Sequence, residues 1–126
     1  MSQRNYIRPA CCALLALLVA TSSLAADGSA ATPFRSYTVL DGLTQSNVSD
    51  IKQDQSGYLW VTTARGLNRY DGNIFEHFTI ADGLPNNWLT AVHVAPDNIV
   101  WTGGQNGSIS ILQGARVLYT VAPSEK

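Results

Sequence analysis

GYLWVTTARGLNRYDG, Gly57 to Gly72, decides the fold, because a blurred version returns as NIVWTGGQNGSISILQ, Asn98 to Gln113. Aligning Asp41-Gly42-Leu43 with Asp82-Gly83-Leu84 sets an offset of 41 residues. Kept without gaps, that offset brings Phe34 onto Phe75, Tyr37 onto Phe78, Thr38 onto Thr79, Val48 onto Leu89 and Ile51 onto Val92. Trp60 falls on Trp101 and Gly66 on Gly107, and Tyr119-Thr120 starts a third copy on Phe78-Thr79. A fixed period over apolar, aromatic and glycine positions marks a repeat architecture.

Each period divides into four short strands. VSDIKQD (Val48 to Asp54) is the first, and Gln55-Ser56-Gly57 turns it. YLWVTT (Tyr58 to Thr63) is aromatic and β-branched, which predicts the second strand. Ala64-Arg65-Gly66 connects it to LNRY, and Asp71-Gly72 predicts a tight hairpin with both turn residues at positive φ. IFEHFT (Ile74 to Thr79) is the fourth strand, and ADGLPNN links to the next copy. YLWVTT has no polar face, so its sheet is covered on both sides. Four antiparallel strands in about 40 residues, stacked face to face, are β-propeller blades. The fold class is therefore all-β: a partial propeller of two four-stranded blades over 34–121, plus an orphan strand at Phe34 to Thr38. Trp60 and Trp101 are expected to pack between blades, with Gly66, Gly107, Asp71 and Gly72 at the corners.

The N-terminus reads differently. Arg4 and Arg8 precede the apolar run Ala10 to Ala20, and Ser23 and Ala25 are small residues at the −3 and −1 positions. This is the layout of a cleaved signal peptide over 1–25, followed by a linker over 26–33. The run is shorter than the roughly 20 residues of a spanning helix, and no second long apolar run follows, so no membrane span is expected in the mature chain. Both cysteines, Cys11 and Cys12, lie in the leader, so an exported chain must be held by its core. Without Arg4 and Arg8, six basic residues face nine acidic ones, a net charge of −3. With no basic patch, nucleic acid is not an expected partner.

DGLTQSNVSDIKQDQSGYLWVTTARGLNRYDG resembles the two-component regulator propeller repeat, with its Asp-Gly-Leu, Gly-x-Leu-Trp-x-x-Thr and Gly-Leu-x-x-Tyr-Asp-Gly elements. The second copy departs from it: Ala95 stands for Asp54, Asn98 for Gly57, Gly103 for Thr62, and Leu112-Gln113 for Asp71-Gly72. The resemblance implies a periplasmic sensor propeller upstream of a membrane helix and a cytoplasmic histidine kinase or diguanylate cyclase.

Propellers close with roughly four to eight blades, so two blades need partners. Either the remaining blades of a longer sensor, or copies of this chain, or another propeller protein must supply them. Copies would make a trimeric six-bladed ring resembling small bacterial lectins, and a carbohydrate-binding function. A lyase or hydrolase is disfavoured, because no catalytic set is visible and the chain reads as non-enzymatic. Asp41, Asp54, Asp71, Asp82 and Asp97 fall at turns, where aspartate bonds its own backbone. His77 and His93 do not recur at the repeat offset and lack further ligands for a zinc site. Gly103 to Gly107 is glycine-rich but no Gly-Lys-Ser/Thr follows, and no cofactor is expected. A small molecule or glycan is expected over the loops at one end of the blades. There Arg65, Asn86, Asn87, Gln105 and Asn106 are the candidate ligand-binding residues.

Overall fold

The computed structural model describes residues 33–124. The leader expected over 1–25, and the linker apart from Pro33, lie outside the described residues. The first sheet holds β1 (Val48–Gln53), β2 (Leu59–Thr63), β3 (Gly66–Tyr70) and β4 (Phe75–Phe78), antiparallel and in chain order. The second repeats it with β5 (Leu89–Val94), β6 (Ile99–Gly104), β7 (Ile109–Gln113) and β8 (Arg116–Val121). Two stacked four-stranded blades are the partial propeller that the repeat predicts. Both first strands carry a bulge at the same place, between Val48 and Asp50 and between Leu89 and Ala91.

The recurring Asp-Gly-Leu has a physical cause. Thr38 and Thr79 each cap a 3-10 turn, Val39–Asp41 and Ile80–Asp82. The Asp carboxylate accepts from the Thr amide at 2.8 Å in both copies, closing a capping box. Gly42 and Gly83 then take φ of 104° and 103°, which an L side chain resists. The leucine that follows is thereby driven into a blade face: Leu43 and Leu84 are both buried.

The blades meet through a shared core. Trp60, Leu67 and Phe78 of the first blade pack against Leu84, Leu89, Val92, Val100 and Leu112 of the second. Trp60 is 1% exposed, and its indole N–H donates to Asp54 Oδ2 at 2.8 Å. The other oxygen of Asp54 accepts from the Ser56 and Tyr58 amides at 2.9 and 3.0 Å. One carboxylate thus shapes the β1–β2 turn and satisfies the buried indole. Ala95 replaces Asp54 in the second blade, and Trp101, on the face turned away from the first blade, is 42% exposed.

Polar clasps supplement the core. Asp50 Oδ2 accepts from Val92 N of the next blade at 3.1 Å, and Lys52 pairs with Asp50 at 3.2 Å. The Val92 amide holds the Asp50 carboxyl below the usual carboxylate range, against the upward push of partial burial and with lesser help from Lys52. Asn98, in place of Gly57, keeps the positive φ of 65° its turn requires. Its side chain accepts from Gln55 N at 2.9 Å and donates to Ser56 Oγ at 3.1 Å, so this departure from the repeat ties the two β-turns together.

Three expectations are corrected. Residues 34–38 form no strand, because the outer strand of a blade pairs with a third strand and none of the described residues offers one to them. Asp71-Gly72 is not a two-residue hairpin. Asp71 keeps negative φ, and its Oδ1 accepts from Asn73 N and Ile74 N, both at 2.8 Å, which opens a four-residue loop. The gapless alignment also fails after the second strand. Val61 pairs with Asn68, but its counterpart Thr102 pairs with Ser110, so the β6–β7 connection holds one extra residue. By register Ser108, not Gly107, corresponds to Gly66, and Gln113-Gly114 to Asp71-Gly72. A further bulge in β8 makes Val121, paired with Ile109, the counterpart of Phe78, paired with Leu67.

Asp54→Ala leaves the Trp60 indole buried without an acceptor, and chemical denaturation should show a loss of about 2 kcal/mol. Asp97→Ala, at an exposed turn, should stay within about 0.5 kcal/mol of the parent. Asp50, with its depressed carboxyl, contributes stability above its unfolded value of 3.8 and loses it as pH falls through the lower folded value. Asp50→Asn should therefore cost about 1 kcal/mol at neutral pH, a gap that closes on acidification and is read from parallel denaturation curves.

Candidate functional site

Strand pairing fixes which loops share an end. Val48 pairs with Thr63, Thr63 with Gly66, and Leu67 with Phe78. The lead-in loop 42–47, the Ala64-Arg65 turn and the loop leaving β4 therefore lie together at one end of the first blade. The second blade places 83–88 and 105–108 at the same end.

In the first blade these loops surround a shallow cleft of about 530 Å³ lined by Val39, Thr44, Gln45, Ser46, Asn47 and Arg65. A buried network fixes its wall. Asn68, fully buried in β3, accepts from Thr44 N at 2.9 Å and donates to Thr44 Oγ1 at 2.9 Å and Val61 O at 3.1 Å. The Thr44 and Thr63 hydroxyls bond each other at 2.9 Å, and Thr63 Oγ1 also donates to Gly66 O and accepts from Arg65 N. Gly66, at φ 138°, lets Phe78 O approach within 2.7 Å of where a Cβ would sit. The Arg65 side chain is exposed and, among the described residues, makes no ion pair. Gln45 Oε1 is buried without a hydrogen-bond partner. The cleft thus offers a guanidinium, hydroxyls and amides, a lining suited to an oxygen-rich ligand.

The other four candidates gather in the second blade, and none lines this cleft. Asn86 Oδ1 accepts from Trp88 N at 3.0 Å, Asn87 Oδ1 from Ile80 N at 2.8 Å, and Asn106 Oδ1 from Ser108 N at 3.1 Å. Gln105 N donates to Trp88 O at 2.8 Å. Each of these three asparagines has its carbonyl committed to backbone, so they shape loops first. Sequence reasoning missed Thr44, Gln45 and Asn68. An asparagine inside a strand next to Leu67 was the available signal, since a buried polar side chain needs partners. By register its counterpart is Ser110, and Pro85 stands for Thr44, so the second blade has no such network.

At the opposite end, Arg69 lies over the Tyr58 ring at 4.6 Å and the Trp60 ring at 5.6 Å and pairs with Glu76. Its charge is thus absorbed by the blade's own packing. Among the described residues no three His, Cys, Asp or Glu side chains group as metal ligands, and no helix is long and apolar enough to cross a membrane.

Asn68→Leu strands the Thr44 amide, and should cost about 2 kcal/mol while speeding amide exchange in residues 44–47 relative to β2.

Comparison with known proteins agrees with this geometry. Residues 42–65 match the family model of the two component regulator propeller. A stretch of 43 residues is 56% identical to histidine kinase P4 of Formosa agariphila, covering 34% of this chain and 3% of that protein. The chain spans a small fraction of that relative's length. Residues 42–65, leading into and forming the first half of the first blade, are thus similar to the two component regulator propeller repeat.

Proposed function

We propose that this chain is part of the sensing propeller of a two-component-type receptor, exported to the periplasm by a cleaved leader and without catalytic activity of its own. One observation carries the reading. The segment matching the family, 42–65, supplies every lining residue of the Arg65 cleft except Val39. The same segment that identifies the repeat therefore builds a polar recess at the loop end of its blade. A propeller presents such loops around its axis, where a ligand touching several blades can bias their packing and pass a signal onward. Arg65 anchors an anionic or polar oxygen of the ligand, and Thr44, Gln45, Ser46 and Asn47 offer hydrogen bonds to hydroxyls. The similarity to a histidine kinase supports a phosphotransfer output in the remainder of such a receptor.

The test is a thermal-shift panel of neutral and acidic oligosaccharides on the chain and on Arg65→Ala. A ligand at 100 times its dissociation constant stabilises by about 2.7 kcal/mol. A member of the panel should raise the melting temperature of the parent and not that of Arg65→Ala, whose own stability stays within about 0.5 kcal/mol of the parent. Absence of any shift, or equal shifts in both, contradicts the reading.

A further inference from the structure

The two blades share a framework but not its polar filling. In the first blade the Asn68 carboxamide bonds Thr44 and the Val61 carbonyl, and Thr63 joins the network through the Thr44 hydroxyl. By register Thr102 stands for Val61, Gly104 for Thr63, Ser108 for Gly66 and Ser110 for Asn68, and Pro85 replaces Thr44. The exchange removes a threonine side chain and a carboxamide. It returns only a hydroxymethyl group at Ser108, whose Oγ takes part of the room that a side chain on Gly104 would need. Thr102 puts a hydroxyl where Val61 has a methyl of similar size.

These hydroxyls lie between the two blades. Strand alternation puts Thr102 on the face of Val100, and Ser108 and Ser110 on the face of Leu112. Val100 and Leu112 belong to the core that the second blade shares with Trp60. Thr102, Ser108 and Ser110 are 2%, 1% and 1% exposed. Thr102 Oγ1 and Ser108 Oγ nevertheless have no hydrogen-bond partner among the described residues. A buried hydroxyl left unpaired is costly, and native proteins resolve such groups with protein atoms or ordered water.

We propose that Thr102 and Ser108 hold one ordered water between the blades, in the part of the second blade where the first has its Asn68 network. The spacing fits a single water. Thr102 pairs with Ser110, and Gly104 N donates to Ser108 O, so Thr102 and Ser108 are diagonal neighbours on one face. Diagonal Cβ atoms of an antiparallel pair lie about 7 Å apart, which leaves about 5 Å between hydroxyl oxygens turned toward each other. That is too far for a direct bond and is the span of one water bonding each oxygen at about 2.8 Å. Ser110, next to both, supplies the further polar group that a buried water needs. An apolar hollow would stay dry, but one lined by hydroxyls fills. The seam between the blades is therefore dry around Trp60 and wet nearer the loops.

The sign of one substitution tests this. Thr102→Val keeps the shape of the side chain and removes only its hydroxyl. If the hydroxyl bonds a water, the folding equilibrium constant should fall about fivefold in chemical denaturation. If the hydroxyl is dry and unpaired, the same change removes a penalty, and the variant should equal or exceed the parent. Ser108→Ala should lose a similar factor. Because both hydroxyls hold the same water, the double variant should lose less than the product of the two single losses. A Thr102→Val variant as stable as the parent or more so overturns the proposal, and so do single losses that simply multiply. A high-resolution crystal structure of the chain checks it directly: one solvent peak about 2.8 Å from both oxygens is expected. No peak there, or a peak bonded to one hydroxyl alone, contradicts it. None of these results involves the Arg65 cleft, so the ligand site and the bound water fail separately.

Discussion

The hydrogen bond from the Trp60 indole to Asp54 is the interaction on which the two blades depend. A tryptophan offers the largest apolar surface available to a small core, but its N–H must find an acceptor once buried. Asp54 supplies that acceptor while holding the turn that starts β2. With the indole satisfied, Trp60 can lie flat enough to be covered by Val92, Val100 and Leu112 of the next blade. Everything between the blades follows from that cover. The clasps by Asp50 and Asn98 lie around it, and neither would hold two sheets together alone, since exposed polar contacts are worth little.

The second device is the capped turn. Thr, Asp and Gly together close the turn of each link, because the cap bonds run between near neighbours in sequence. The apolar residues inside the turn stay exposed, whereas the leucine that follows is delivered to a blade face in both copies. The motif thus converts a flexible link into a fixed step from outer strand to next inner strand. This is why the chain can stack blades with links of about ten residues.

Much of this was legible in the sequence. Tyr58 to Thr63 had to be a doubly covered strand because it has no polar face, and the recurrence of Trp and Asp-Gly-Leu required blades. The aspartates at turns were legible too, since their spacing to the following amides is local. What was not legible depended on register. One residue inserted between β6 and β7 leaves the apolar pattern nearly intact, because Gly107 still falls near Gly66 along the chain, yet it moves every later pairing. Asp71 was misread because its carboxylate can replace the backbone bonds of a tight turn, and composition does not say which wins. Residues 34–38 carry the pattern of a strand but lack, among the described residues, the neighbour that makes one. At the candidate site Arg65 was legible from loop position, whereas the pairing of Thr44 with Thr63 and Asn68 was not, since those bonds join residues 19 and 24 apart in sequence.

The account makes both blades one cooperative unit, joined at Trp60 and clasped at Val92. Hydrogen exchange by NMR measures this most directly, by following the Trp60 indole and the Val92 amide beside the central strands β2 and β6. If the account holds, both protons exchange only through global opening, with the same free energy as the slowest amides of both sheets. Rapid exchange at Val92 and Trp60, while β2 and β6 stay protected, would show two blades that fold separately and merely touch, and would contradict it.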